Sequence, residues 1–510
     1  MLSRFLAGTA LLAPAAVWAS PVLAQTHDHG SMPTPAPTSA ANGPAPADAP
    51  ASAPVDHSTM DHSKMDHAAM GHVVSQHAPN HATMDHGQKG HDTKEQAGAD
   101  HSGMDHAGVD HAGMDHAGMD HGAGHQAGHS GEGSGTSRLP ANETMNHGAM
   151  VDLGGDTSLM LHGFVWPVFT DQGGPRGDDK FYVQTMGMAT LAGSFAGGKW
   201  MARTMMSLEP LMRHDGYPNL FASGEVAYGE PLVDRQHPHD LFMELAGRID
   251  LDIADGTTAF LYGGPVGEPA LGPSAFMHRA SARYNPEAPI THHWFDSTHI
   301  AYGVVTAGVA SRRFQIEASA FRGREPDEFR WNIETPKLDS WSVRASFAPS
   351  DALLVQASYG WLKSPEELHP DENERRATAS VNYNSGNGLS ATGAFSAKKH
   401  VEAGGGASGE TLTAWLGEVN YDITDHHTVF GRVENVRNAE LFPDHAHPLH
   451  DVSLRVTKLQ AGYAYRVPLG PVNLALGGSV ATYAKPDVLD AYYGRNPFSY
   501  TVFARFSLGD

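Results

Sequence analysis

The chain has no cysteine. That excludes a disulfide framework, a thiolate metal site and a lipid-anchored cysteine behind a leader. Any soft-metal chemistry then falls to methionine and histidine. Basic residues are scarce as well: 34 Lys and Arg face 57 Asp and Glu, for a formal net charge of −23. The electropositive footprint of a nucleic-acid binder is therefore missing. Beyond the first two dozen residues there are no long apolar runs, and a membrane helix takes about 20 apolar residues. Membrane insertion would have to be as a closed barrel, whose strands satisfy their backbone groups laterally.

What is present divides the chain into three unlike parts. Residues 1–24 read as a secretory leader, with Arg4 ahead of an apolar stretch from Phe5 to Ala19 and Val22-Leu23-Ala24 as a small-residue cleavage site. Residues 25–150 are mostly Ala, Gly, Ser, Pro, His, Asp and Met, and hold 18 of the 33 His. Large aliphatic and aromatic residues are nearly absent there. Such a composition buries too little apolar surface to offset chain entropy, so this tail reads as disordered. Residues 151–510 regain aromatics and alternate apolar with polar.

A five-residue repeat runs through the tail. One tract holds Met60-Asp61-His62 and Met65-Asp66-His67, then Met70 and His72, with Met84 and His86 beyond. A second holds Met104-Asp105-His106, His111, Met114-Asp115-His116 and Met119-Asp120-His121. Thioethers favour Cu(I). Imidazole takes Cu(I), Cu(II), Zn(II) or Ni(II), and carboxylate supports divalent ions. A period of five matches neither 3.6 nor 2, so the ligands do not line one face of a regular element. The expectation is adaptable, multi-site binding of copper in both oxidation states, with Zn(II) or Ni(II) as alternatives.

From Thr157 onward about sixteen runs of period-two pattern follow one another, from 157–168 to 499–508. Trp341, Val343, Ala345 and Phe347 alternate with Ser342, Arg344 and Ser346, for example. Runs of about ten residues suit a tilted strand crossing a bilayer. The connections alternate short with long, the long ones filling 209–240, 265–298, 323–337, 364–374 and 438–452. Short periplasmic turns and long external loops are the habit of outer-membrane barrels. The predicted fold is an all-β, antiparallel transmembrane barrel of about sixteen strands in the outer membrane, facing lipid, with its tail in the periplasm. A soluble β-sandwich would also alternate, but aromatic residues near the strand ends favour the barrel.

Three of the long loops carry histidines. They are His237 and His239 in Arg235-Gln236-His237-Pro238-His239-Asp240, then His278, His292, His293 and His299, then His445, His447 and His450. Paired histidines with nearby aspartate can form carboxylate-supported metal sites, provided the loops fold inward. Polar surface loops are the plainer reading. No spacing for a nucleophile-and-base set stands out.

The Met-Asp-His-Ser-x-Met pattern at Met60 to Met65, after a leader and ahead of a β-rich domain, resembles the outer-membrane copper-resistance protein B family. The resemblance implies copper tolerance by periplasmic sequestration or by passage across the outer membrane, with other periplasmic copper proteins as partners. It extends to Met60, Asp61, His62, Met65, Asp66, His67, Met104, Asp105, His106, Met114, Asp115, His116, Met119, Asp120 and His121. Two other functional classes fit the residues: a general porin-like channel whose tail buffers metal, and a membrane-embedded barrel enzyme. An enzyme would need a fixed constellation centred on residues such as His237 or His293.

Overall fold

The structure, a computed structural model, describes residues 133–143, 148–402, 404 and 409–508. The leader and the tail repeat lie outside these residues. Sixteen antiparallel strands close into a barrel: β1 Thr157–Gln172, β2 Asp178–Phe195, β3 Gly198–Met206, β4 Phe242–Ala254, β5 Thr257–Gly267, β6 Ala301–Ser311, β7 Phe314–Phe321, β8 Ser340–Ser350, β9 Leu353–Leu362, β10 Glu372–Asn384, β11 Leu389–Glu402, β12 Leu412–Asp422, β13 His427–Asn438, β14 Leu454–Leu469, β15 Val472–Ala484 and β16 Phe498–Leu508. Each strand pairs with the next, and β16 returns to β1 through Gly163↔Leu508 to Gln172↔Ser499. All sixteen runs read from the sequence appear as barrel strands.

The alternation has a clear physical basis. Along β8 successive residues are buried and exposed by turns, with Ser342, Arg344 and Ser346 facing the lumen and Trp341, Val343 and Phe347 facing out. The outward set forms an apolar band with aromatic residues at both ends. Phe314, Phe347, Tyr383, Tyr421 and Phe506 lie near the short turns, and Phe181, Trp341, Trp415 and Phe498 near the long loops. Such a band with two aromatic girdles is the surface a bilayer requires. No helix among the described residues is long and apolar enough to cross a membrane.

Two elements at the N-terminal side were not expected as structure. Ala149–Gly154 forms an extra edge strand on β1, pairing Ala149↔Leu161 through Gly154↔Thr157. It takes the stretch of β1 that lies beyond the reach of β16, whose pairing stops at Gly163. Residues 133–143, which composition assigned to the tail, pack inside the lumen. Gly133 N–H donates to Ser137 O, closing a tight turn, and the Thr136 hydroxyl donates to Glu317. Arg138 reaches the carbonyls of Ser311 and Arg312 at one short turn, and Asn142 N–H donates to Asp351 O at another. A Gly/Ser-rich segment gives little periodic signal, so its docking was invisible to pattern reading.

The lumen is not an empty tube. The loop 268–300, between β5 and β6, is buried almost end to end. Its backbone takes hydrogen bonds from or gives them to Ser319 on β7, Ser358 on β9 and Ser396 on β11. On the far side, Arg279 pairs with Glu418 of β12 at 2.9 Å and Glu287 with Lys458 of β14 at 2.7 Å. The loop therefore crosses the lumen from wall to wall. The loop 207–241 packs beside it: Asn219 donates to Ala288 O, and Ala288 N–H donates to the Tyr217 hydroxyl. Removing one member of a fully buried ion pair leaves an uncompensated charge and typically costs about 3–5 kcal/mol, so the pairs fix where the loop meets each wall.

Candidate metal centre in the lumen

The two inward loops bring most of the loop histidines together. In 207–241, Pro238 separates His237 from His239. In 268–300, a one-turn helix α1, His292–Phe295, sets His292 one turn before Asp296, with His299 three residues on. Four rings form a closed circuit. Centroids are 6.4 Å apart for His237 and His239, 5.3 Å for His239 and His299, 5.1 Å for His299 and His292, and 5.8 Å for His292 and His237. His293 flanks the circuit, 5.3 Å from His292 and 6.2 Å from His237. All five are buried.

The ring nitrogens are sorted by their partners. Nδ1 of His292 meets Asp296 Oδ1 at 2.9 Å, and Nδ1 of His239 meets Glu209 Oε2 at 2.8 Å. Nδ1 of His299 meets the Asp296 carbonyl at 2.6 Å, and Nδ1 of His237 the Pro238 carbonyl at 3.1 Å. Carbonyl and carboxylate oxygens only accept, so each Nδ1 carries the hydrogen and, in the neutral ring, Nε2 carries the lone pair. This is the tethering that metal-bound histidines normally show. Nε2 of His237 and of His299 is buried without a hydrogen-bond partner.

Glu225 completes the centre. Its Oε2 is held by Arg330 at 2.8 Å, while Oε1 lies 3.0 Å from His237 Nε2 and 3.9 Å from His293 Nε2. Glu325 faces the other nitrogen of His293 at 3.4 Å. Ligand atoms of His237, His292 and His293 all lie within 4.8 Å of one another, and so do those of Glu225, His293 and Glu325. Zinc-type sites hold ligand nitrogens about 2.0–2.1 Å from the ion, hence about 3.4 Å apart, a change that small side-chain rotations supply.

Burial and neighbours set the protonation states. Burial, together with Arg330 and the surrounding imidazoles, holds His237 well below its usual range. Burial and the imidazoles of His292 and His239 do the same for His299. His292 is lowered by burial against the pull of Asp296. These three rings are neutral at pH 7 and offer lone pairs. Burial would also lower His293, but Glu325 and Glu225 together outweigh it and hold it up at about 9. Burial pushes Glu225 up to about 7, against the pull of Arg330.

The other predicted residues go elsewhere. His278 is buried in the same loop, with its Nε2 unpartnered, and burial with Arg203 and His162 nearby keeps it down at about 3. His445, His447 and His450 lie in loop 439–453, exposed or half-exposed, and none has a ring contact with the lumen circuit among the described residues. The tail ligands from Met60 to His121 fall outside the described residues. Glu209, Glu225 and Glu325 were not found from sequence. No local pattern marks them, since they reach the centre only through loop packing. A third carboxylate–histidine group, Glu366, His400 and Glu440, already has an internal cation, Lys398, 3.8 Å from Glu366 and 3.4 Å from Glu440.

No protein-family model matches this chain, and no curated protein matches it. Solved structures do. An anion-selective porin from Comamonas acidovorans is similar over 69% of this chain and 100% of its own, at 12% identity and a TM-score of 0.43. OmpF of Salmonella typhi, in complex with daunomycin, is similar over 71% and 100%, at 11% identity and 0.45. OmpT of Vibrio cholerae, an outer membrane protein, is similar over 70% and 100%, at 7% identity and 0.43. These likenesses concern the fold alone.

Proposed function

We propose that this chain is an outer-membrane barrel that handles copper, gathering it on the Met-Asp-His tail and holding it in the histidine centre of the lumen. The observation that carries the reading is the contact between His237 Nε2 and Glu225 Oε1. His237 Nε2 is buried, lies 3.0 Å from Glu225 Oε1 and is not aligned with it as a hydrogen bond, so above about pH 7 its lone pair opposes an ionised carboxylate. A cation between them relieves that opposition, and three further tethered imidazoles surround the spot. Neutral imidazole with carboxylate suits Cu(II) and Zn(II). The thioethers of the tail repeat, and its resemblance to the outer-membrane copper-resistance protein B family, favour copper as the cargo.

The apolar band and the short-turn, long-loop alternation support an outer-membrane location with the short turns toward the periplasm. The edge strand and residues 138–142 lie at that end, which favours a periplasmic tail. A freely conducting pore is disfavoured by loop 268–300, which spans the lumen and is pinned on both walls.

The test is titration of the purified full chain, and of a chain lacking residues 25–132, with Cu(I), Cu(II) and Zn(II). The full chain should bind several copper ions and prefer Cu(I) to Zn(II). The shortened chain should keep one Cu(II) site whose electron paramagnetic resonance spectrum shows nitrogen ligands. A shortened chain that binds neither divalent ion sinks the lumen centre. A tail that takes Zn(II) as readily as copper sinks the choice of metal.

A further inference from the structure

Methionine is unevenly spread over the barrel. Residues 150–277 hold ten methionines, and residues 278–510 hold none. Seven of the ten gather on the lumen side: Met186, Met188, Met205, Met212 and Met243 are buried in one cluster, with Met160 and Met277 packed against it. A second lumen cluster packs against the same two loops through Leu220, Ile290 and Trp294, but its wall is built from Leu412, Leu416, Val436 and Val456. Both clusters do the same packing work. Filling irregular gaps, the usual service of a flexible thioether, does not explain why one wall has seven methionines and the other has none.

The strand register sets thioethers beside imidazole. His162 pairs with Met188 between β1 and β2, and Met188 pairs with Met205 between β2 and β3. Directly paired residues on one face have Cβ atoms about 4.5–5.5 Å apart, and all three side chains here are buried toward the lumen. His278 follows Met277, which packs against this wall, so loop 268–300 brings a buried imidazole to it. Its buried Nε2 has no hydrogen-bond partner. Beside it, Met277 lines a cavity of about 20 Å³ together with His239 and Glu209, so the methionine wall runs up to the histidine circuit.

We propose that this wall is a soft-metal site for a monovalent d10 ion, copper(I), held by the thioethers of Met188 and Met205 and the imidazole of His278. Thioether and neutral imidazole form the donor set that selects Cu(I) over divalent ions. The wall and the histidine circuit then make two adjoining stations of different softness, one for each oxidation state. The identity of the ion rests on the copper reading above. The position of the site rests on the methionine wall alone.

The test uses the full chain in detergent, grown with methionine labelled by carbon-13 at its methyl group. The variants Met188→Leu and Met205→Leu assign the two signals and keep volume and apolarity, so the fold is retained. Under anaerobic conditions Cu(I) is added, with silver(I) in parallel as a redox-inert ion of the same preference. The Met188 and Met205 signals should shift together. The double variant should bind Cu(I) at this site at least about tenfold more weakly while its Cu(II) spectrum stays unchanged. If tail methionines shift while Met188 and Met205 do not, the wall is only packing, and the copper reading survives. If no methionine signal shifts, both fall.

Discussion

Two parts of this molecule gather histidines and end in opposite situations. Asp444-His445-Ala446-His447-Pro448-Leu449-His450-Asp451 sets three His and two Asp within eight residues, a denser run than either inward loop. Yet His445 is exposed, His447 and His450 are only half-buried, and Asp451 is 81% exposed. The lumen circuit is assembled from two loops separated by a strand pair, and all its rings are buried. The difference lies in what holds each ring. In the lumen, Asp296, Glu209 and two carbonyls fix Nδ1 and aim Nε2. At the rim, His445 meets His450 edge-on at 4.3 Å and the Phe442 carbonyl holds His450 Nδ1 at 2.9 Å, but the rings are exposed or half-exposed, where water competes for their nitrogens. Ligand density along a chain measures supply; affinity follows from tethering and the exclusion of water.

The comparison breaks most sharply by deleting rings. In the chain lacking residues 25–132, His237→Ala with His292→Ala should weaken Cu(II) binding by at least about 100-fold, more than the 10–100-fold typical of losing a supporting partner. His445→Ala with His450→Ala should change it by less than about tenfold, below the range for losing a supporting partner. Competition titration against a chromophoric chelator reads both. Equal losses in the two variants would mean that the rim holds the ion as well as the lumen does, and a loss confined to the rim variant would move the site there.

A smaller effect sharpens the cause. Asp296→Asn keeps the shape of α1 but removes the charge that tethers His292, and should weaken Cu(II) binding by about 10–100-fold. The fold should survive, because Arg279 keeps Glu418 at 2.9 Å. Unchanged affinity in a folded Asp296→Asn variant would show that tethering is not what separates the lumen from the rim.

The barrel was legible because its signal is local. Period-two alternation and the short-long rhythm of turns are set by each strand's own two faces, so all sixteen strands could be read singly. Turn chemistry agreed: in Asp255-Gly256 the glycine takes φ +62, a left-handed conformation that glycine adopts at no steric cost. The site was legible only in part. His237, His239, His278, His292, His293 and His299 were marked by type and pairing. Their inward fold depends on long-range anchors such as Lys458 to Glu287 and Asn219 to Ala288, which no window contains. Glu225 sits after Ser223-Gly224 in a stretch without any ligand pattern. The methionine wall had a readable signal, since Met186 and Met188 share the parity of the lumen face, but this shows only once strand faces are assigned. The rim histidines His445, His447 and His450 were marked by a local pattern, and the loop that carries them stays at the surface, exposed or half-exposed.

The smallest expected effect concerns what the rim histidines do instead. His447 stacks on Phe442 with centroids 4.3 Å apart and planes 6° from parallel, and its Nε2 lies 2.9 Å from the Tyr492 hydroxyl. Tyr492 in turn meets Phe442 edge-on at 4.8 Å, so the three rings clamp loop 439–453 to loop 485–497. A partly exposed aromatic pair is worth about 0.5–1.5 kcal/mol, and exposure puts this one at the lower end. His447→Ala should therefore leave metal affinity untouched and raise amide hydrogen exchange in 439–453, with little change in the strands. His447→Phe keeps the stack without a metal ligand, and should restore protection. Rescue by phenylalanine identifies a structural histidine, whereas protection that returns only with histidine, and only with copper present, would return the rim to the metal-binding side of the comparison.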